Sequence, residues 1–188
     1  MQTAHITDES VQRHAVQAAP AMGVIRQFKA IASIIAITVA FALGITQVHA
    51  GDLEDGLSAF AHGEYATALK LLQPFAELKN ASAQNALGLM FASGGSGIAQ
   101  DFGEARKWYQ RAANQGHGRS RANLGVMYYN GDGVPKDYVE AYMWFDLALA
   151  SGFEDAVKYR SLIEEMMTPE QIAEARKRAK GWKAATQR

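Results

Sequence analysis

The chain has 188 residues, of which 48% are hydrophobic, and its 19 Lys and Arg balance its 19 Asp and Glu. This length and composition indicate one globular domain with an appendage, and they exclude a large multidomain enzyme and a wholly disordered chain. Because the sequence contains no Cys, disulfides, thiolate metal sites and cysteine nucleophiles are excluded as well. Formal neutrality gives no general attraction to nucleic acid, and we expect no nucleic-acid partner.

Residues 1–50 have the composition of an export signal. From residue 30 to residue 50 the chain has no Lys, Arg, Asp or Glu, and most of this stretch is apolar. Arg26 and Lys29 supply a positive flank before it. A positive flank followed by a short apolar segment is typical of a secretory signal peptide.

The end of this segment has the features of a cleavage site. Val48 and Ala50 place small aliphatic residues at positions −3 and −1, so cleavage is expected before Gly51. Cleavage there predicts a periplasmic or secreted bacterial protein that meets the membrane only transiently. The alternative is an inner-membrane anchor formed by residues 30–50, although its apolar stretch is shorter than the roughly 20 residues that a spanning helix needs. Met22 is an alternative start that gives a leader of more usual proportions.

Two segments of the remaining chain repeat each other. Leu87 and Gly88 reappear as Leu124 and Gly125, 37 residues later. A second set of residues recurs after 36 residues, and the one-residue difference falls in a glycine-rich loop, where an insertion costs little. This set comprises Asp101, Ala105, Trp108 and Gly116, followed by Asp137, Ala141, Trp144 and Gly152. Apolar residues recur at helical spacing in both copies, so each copy is predicted to be a pair of helices.

A fainter copy precedes these two, and a degenerate copy follows them. Residues 51–80 keep part of the pattern but have Leu71 at the tryptophan position. In the last segment, Arg160 and Ser161 occupy the Leu-Gly register and no glycine loop follows. Residues 153–188 are therefore predicted to be a degenerate repeat and a capping helix with a polar outer side.

The second helix of each copy carries a start signal. Asp101 with Glu104, and Asp137 with Glu140, form Asp-x-x-Glu capping boxes. In such a box the aspartate accepts a hydrogen bond from a backbone N–H group of the first turn, and the glutamate reaches back to the cap residue.

Two glycines fall in the middle of predicted helices. Gly88 and Gly125 stand where glycine costs about 1 kcal/mol relative to alanine, so their recurrence needs a steric reason. We expect a close crossing of the two helices of a pair, with Ala105 and Ala141 as the small residues that face the glycines.

The combined pattern of residues resembles the Sel1-like repeats, relatives of the tetratricopeptide helical hairpins. The pattern reads Ala/Ser-x3-Leu-Gly-x-Met-Phe/Tyr, a glycine loop, then Asp-x3-Ala-x2-Trp-x3-Ala. Residues 81–116 and 117–152 match it closely, whereas residues 51–80 look more like a plain tetratricopeptide hairpin. The resemblance implies an all-α fold, a right-handed α-α superhelix of three helical hairpins with C-terminal capping helices. It also implies an adaptor in envelope signalling, surface biogenesis or host contact.

Residues 51–188 show no pattern that predicts an enzyme. His62 and His117 stand far apart without a patterned carboxylate nearby, so we expect no metal and no cofactor. β-Lactam chemistry would call for Ser-x-x-Lys, and no serine of the sequence has lysine at that position. The expected function is non-enzymatic. The alternative is a cell-wall enzyme that acts on peptidoglycan or β-lactams, or an accessory subunit of one.

The leading helix of each pair is expected to line the concave side of the array. Residues that the packing pattern leaves over are predicted to contact a protein or peptide partner. These candidate groove residues are Gln84, Asn85, Leu89 and Ala92 in one copy, and Arg121, Ala122, Val126 and Tyr129 in the next. A monomer is expected, with dimerisation through an exposed end of the array as the open alternative.

A run of basic residues near the C terminus is interpreted as a solvated helix face. Cations are favourable near the end of a helix, and Glu174 is placed to pair with Arg178 four residues later. The run comprises Arg176, Lys177, Arg178, Lys180 and Lys183.

Overall fold

In a computed structural model of the chain, residues 50–186 are described, and they form eight α-helices. These are α1 (Ala50–Ala61), α2 (Tyr65–Glu77), α3 (Ala81–Ser93), α4 (Phe102–Asn114), α5 (Gly118–Asn130), α6 (Tyr138–Leu149), α7 (Ala156–Glu164) and α8 (Pro169–Thr186). Within this part of the chain, β-type pairing is limited to one bridge between Gly95 and Ile98. The predicted all-α helical-repeat solenoid is confirmed. The predicted export segment up to residue 49, with the alternative start at Met22, lies outside the described residues.

The helices pack in pairs that follow the chain order. Helix α1 packs against α2, α3 against α4, and α5 against α6, and the second helix of each pair packs against the leading helix of the next. The end of the array departs from this arrangement, because α7 and α8 both pack against α6. Ala175 and Ala179 of α8 are buried in this contact.

The repeated apolar residues form the core between the helices. Trp108 packs in a cluster with Leu72 and Leu87, and Trp144 packs in a second cluster with Leu124 and Leu147. Six of the repeated apolar residues are buried, namely Leu87, Ala105, Trp108, Leu124, Ala141 and Trp144. The indoles therefore lie inside the array and are not a binding surface.

Gly88 and Gly125 make room for aromatic rings of the facing helix. A Cβ atom at Gly88 would lie 2.5 Å from the ring of Tyr109, and a Cβ atom at Gly125 would lie 2.8 Å from the ring of Phe145. Both distances are too short for a real carbon contact, so only glycine fits there without movement of a buried ring. The close crossing is present, but the partners expected from the sequence are wrong: the rings contact the glycines in place of Ala105 and Ala141.

The aspartates that begin α4 and α6 act as N-caps. Asp101 accepts a hydrogen bond from the backbone N–H of Glu104 at 2.9 Å, and Asp137 accepts one from the N–H of Glu140 at 3.0 Å. The predicted reciprocal bond is wrong for both Glu104 and Glu140, because the N–H groups of Asp101 and Asp137 donate to the carbonyls of Phe91 and Tyr128. Glu140 has another partner. Its carboxylate lies 2.7 Å from the guanidinium of Arg178 and ties α6 to α8 instead.

The turns that join one pair to the next share a left-handed residue. Lys79, Gly116 and Gly152 stand at equivalent positions, with φ of +66°, +89° and +81°. Glycine adopts this region without steric cost, which explains why Gly116 and Gly152 recur. At Lys79 the turn has the same conformation although the residue carries a Cβ atom.

Gly125→Ala is expected to lower the free energy of unfolding by about 1–3 kcal/mol, because the added methyl group meets the buried ring of Phe145. Gly181→Ala is the matched control, since Gly181 lies in α8 with open space around it and should gain up to about 1 kcal/mol from helix propensity. Denaturant unfolding of the three proteins measures both changes. Stabilisation by both substitutions would contradict the assigned role of the ring.

Candidate functional site

The leading helices α3 and α5 each send a buried polar side chain back to the preceding helix pair. Gln84 on α3 donates through Nε2 to the carbonyl of Ala76 near the end of α2, at 2.8 Å. Arg121 on α5 donates through Nε to the carbonyl of Ala113 near the end of α4, at 3.1 Å. The two donors are 37 residues apart in the sequence, and so are the two acceptors, so the same hydrogen bond joins consecutive repeats.

Helix ends, not a carboxylate, surround the Arg121 guanidinium. The residue is 9% exposed, and Nη1 also donates to the carbonyl of Leu147 at 3.2 Å and to the hydroxyl of Ser151. The indole of Trp182 covers the guanidinium, with Cζ 4.7 Å from the ring centroid. Burial lowers the pKa of Arg121, whereas the partial negative charge at the ends of α4 and α6 favours its charged form.

Asn85 also joins two repeats. Its Oδ1 accepts hydrogen bonds from the hydroxyl of Ser120 at 2.9 Å and from Nδ2 of Asn123 at 3.2 Å. Asn85 and Ser120 are both buried. The expected exposure of three predicted groove residues is therefore wrong, because their polar groups bind neighbouring helices: Gln84, Asn85 and Arg121. Ala122 is buried as well.

The leading helices nevertheless line a groove, which other residues form. The groove has a volume of about 370 Å³ and runs from Leu89 on α3, across Asn123 and Val126 on α5, to Tyr159 on α7. Leu89, Ala122 and Val126 were predicted to face a partner, and all three line this groove, although Ala122 is only 4% exposed. Tyr129 lies in a small adjoining crevice, and its ring centroid is 5.9 Å from that of Tyr138.

Apolar side chains recur at one position of three successive leading helices. Leu89, Val126 and Leu162 stand 37 and 36 residues apart and are each at least partly exposed. We call these three residues the apolar row. Leu162 lines the crevice that Tyr159 shares with the groove. Leu162 and Tyr159 could have been identified from the sequence, because the repeat register continues into α7. They were missed because α7 was interpreted only as a cap.

Charged residues lie at one side of the groove. Arg119 of α5 and Lys158 of α7 contribute cations, and Asp155 contributes a carboxylate. The Arg119 guanidinium lies over the ring of Phe153, with Cζ 5.8 Å from the centroid. The groove therefore combines apolar side chains with charges of both signs.

A second groove of about 420 Å³ lies beside α2, α3 and α4, and Gln84, Arg111 and Gln115 are among the residues that line it. No group of His, Asp or Glu within residues 50–186 could hold a metal ion. None of the helices in that range is long and apolar enough to cross a membrane. The basic run at the C terminus is partly neutralised, since Arg178 lies 3.0 Å from Glu174, which confirms the predicted pair.

The repeat pattern matches a family model over two segments of the chain. The family is described as the Sel1 repeat, and the matched residues are 81–117 and 119–153. The chain carries two Sel1 repeats. They coincide with the helix pairs α3–α4 and α5–α6, whose leading helices form most of the groove.

Two crystal structures have a similar fold. One is c5321, a protective antigen present in uropathogenic Escherichia coli strains that displays an SLR fold; the TM-score is 0.65 at 28% identity, over 70% of this chain and 29% of that chain. The other is a Sel1 repeat protein from Oxalobacter formigenes, with a TM-score of 0.53 at 30% identity, over 57% of this chain and 43% of that chain. The chain thus spans less than half the length of either. No curated protein matches the sequence.

Equivalent N-caps begin the leading helices of the two Sel1 repeats. Asn80 accepts from the N–H of Ala83 at 2.9 Å, and Nδ1 of His117 accepts from the N–H of Ser120 at 3.2 Å. The imidazole can accept this bond only while Nδ1 carries no proton. Burial, and then the charge of Arg119, lower the pKa of His117 below its ordinary value of 6.5. Protonation of His117 therefore opposes the folded state.

The free energy of unfolding is expected to decrease as the pH falls below about 6.5, because His117 then takes up a proton more readily in the unfolded chain than in the folded one. Above that pH the contribution of His117 to the free energy of unfolding is fully present. His117→Asn copies the Asn80 cap and should remove this part of the pH dependence with little effect near neutral pH. Denaturant unfolding of both proteins at about pH 8 and about pH 5 checks this. If the free energy of unfolding falls equally in both proteins between these two pH values, His117 is not the titrating group.

Proposed function

We propose that the chain is an exported adaptor without enzymatic activity, which binds a protein or peptide partner in the groove of its leading helices. Proteins built from Sel1 repeats generally act as protein-interaction scaffolds. To this general role we add an exported location and a binding surface formed by the groove residues.

The apolar row is the observation that carries the proposal. Leu89, Val126 and Leu162 occupy one register in three consecutive leading helices and line a groove and its adjoining crevice, where water still reaches them. Covering apolar surface in this way is the main source of binding free energy in protein association. The polar residues beside the row, Asn123, Arg119 and Lys158, are suited to orient a partner.

The side chains that line the groove give little support to acid–base catalysis. Such chemistry needs a proton donor and an acceptor on opposite sides of the reacting atoms, or a nucleophile within hydrogen-bond reach of a base. Among the groove residues, Asp155 is the one carboxylate, and no serine, threonine or histidine accompanies it in the lining. These side chains favour recognition over catalysis.

Site-specific photo-crosslinking in the native envelope tests the groove. A photoreactive amino acid at Asn123 should give one discrete adduct with the partner, whereas the same group at Arg106, which is exposed on α4, should not. Val126→Glu, combined with the probe at Asn123, should abolish the adduct because it places a charge in the apolar row. Circular dichroism must show unchanged helix content for that variant. Equal adducts from both positions, or an adduct that survives Val126→Glu, would count against the groove.

Export is the second part of the proposal. The leader at residues 1–50 and the similarity to c5321, a protective antigen, support it. N-terminal sequencing of the protein from the envelope fraction should give Gly51 as the first residue, which would shorten α1 by Ala50 alone. A membrane-bound chain that keeps residues 30–50 would establish the anchor instead.

A further inference from the structure

The second groove lies where α2 meets the first Sel1 repeat. Its volume of about 420 Å³ is in the range of ligand-binding pockets. It shares no lining residue with the groove between α3, α5 and α7, so it is a separate candidate site. Most of its lining is polar and comprises Glu77, Lys79, Gln84, Arg111, Asn114 and Gln115.

The next repeat has an equivalent junction, and there an indole takes the place of the open groove. Arg121 bonds the carbonyl of Leu147 and the hydroxyl of Ser151, and its guanidinium lies under the ring of Trp182, with Cζ 4.7 Å from the centroid. An aromatic ring therefore covers this junction, whereas the junction before it is open. Three residues of the second groove stand 36 or 37 residues before those around the indole: Gln84, Arg111 and Gln115 correspond to Arg121, Leu147 and Ser151.

Arg111 offers a flat cation to a ring in the second groove. Its guanidinium lies over the indole of Trp108, with Cζ 4.4 Å from the centroid, and its side chain is 52% exposed. One face of the guanidinium thus contacts Trp108, and a second ring can stack on the other face. The same pairing of guanidinium and ring already exists between Arg121 and Trp182.

The charges of the second groove favour a ligand that also carries a carboxylate. Lys79 and Arg111 are its cations, and Glu77 is its one carboxylate. Glu77 lies 3.4 Å from Nη1 of Arg111, whereas no carboxylate of residues 50–186 lies within ion-pair distance of Lys79. Lys79 is exposed, so its ammonium group is available to a negative group of the ligand.

We propose that the second groove binds a peptide segment of a partner protein in which an aromatic side chain stands next to a carboxylate. The ring stacks on the guanidinium of Arg111, and the carboxylate pairs with Lys79. The side-chain amides of Asn114 and Gln115 bond the backbone of the segment. The proposal does not depend on export or on the groove of the leading helices.

Heteronuclear NMR of the isotope-labelled protein tests the site with a synthetic peptide. The probe is the acetylated, amidated hexapeptide Ala-Ala-Trp-Glu-Ala-Ala. It should shift the side-chain amide signals of Gln84, Asn114 and Gln115 and leave that of Asn123, in the other groove, unmoved. Replacement of Trp by Ala in the peptide should abolish the shifts. Replacement of Glu by Gln should raise the dissociation constant about twofold or more.

Substitutions in the protein separate the two contacts. Arg111→Gln should raise the dissociation constant about threefold or more, because the stacking cation is lost. Lys79→Asn should weaken binding of the Glu peptide and not of the Gln peptide, and asparagine tolerates the left-handed φ of this position. Arg106→Gln is the matched control, since Arg106 is exposed on α4 outside the groove, and should leave the dissociation constant unchanged.

Trp182→Ala tests the equivalence of the two junctions. Removal of the indole uncovers Arg121, so the probe should then also shift the Nε–H signal of Arg121, while circular dichroism shows that the helices are kept. In the wild type that signal should not move. Four results would each overturn the proposal: no shifts with the Trp peptide, shifts only at Asn123 and its neighbours, equal affinity after Arg111→Gln, or no binding at Arg121 in the Trp182→Ala protein.

Discussion

The array depends on the contact between a glycine of one helix and an aromatic ring of its partner. Gly88 with Tyr109, and Gly125 with Phe145, set the two helices of a Sel1 repeat at a separation that no larger residue permits. The Tyr109 side chain is buried in this contact, and its burial raises the pKa of the hydroxyl. Because both pairs use the same contact, the leading helices repeat at one spacing and can share a surface.

Where consecutive helix pairs meet, the polar and the apolar side chains of the leading helices have different roles. Gln84 and Arg121 donate to carbonyls at the end of the preceding helix, and the side-chain oxygen of Asn85 accepts from side chains of α5. The polar groups that suggest binding in the sequence are thereby used in folding, since a buried donor without an acceptor is costly. Apolar side chains one helical turn further along the leading helices line the groove. Polar residues that were expected to bind a partner therefore hold the repeats together, whereas apolar residues line part of the groove.

The periodicity of the sequence determines the helix pairs, the repeated indoles and the caps, because each can be checked against its copy 36 or 37 residues away. The periodicity does not show in which direction a side chain points. Gly88 predicts a close neighbour but does not say whether Ala105 or Tyr109 supplies it. Arg121 is a frequent interface residue by type, and only the position of the Ala113 carbonyl shows that it faces inward. The same register could have identified Gln84 as a joint residue, since Arg121 occupies its place in the next copy.

Contact between Trp182 and Arg121 links the last helix to the middle of the array. The indoles of Trp182 and Trp144 also meet edge to face, with centroids 5.5 Å apart, so two of the three tryptophans of the chain report on one place. A guanidinium and a second indole both alter the emission of a neighbouring indole. Intrinsic fluorescence of this protein therefore reports on the packing of α8, and a C-terminal tag or proteolytic cut that displaces α8 should change it.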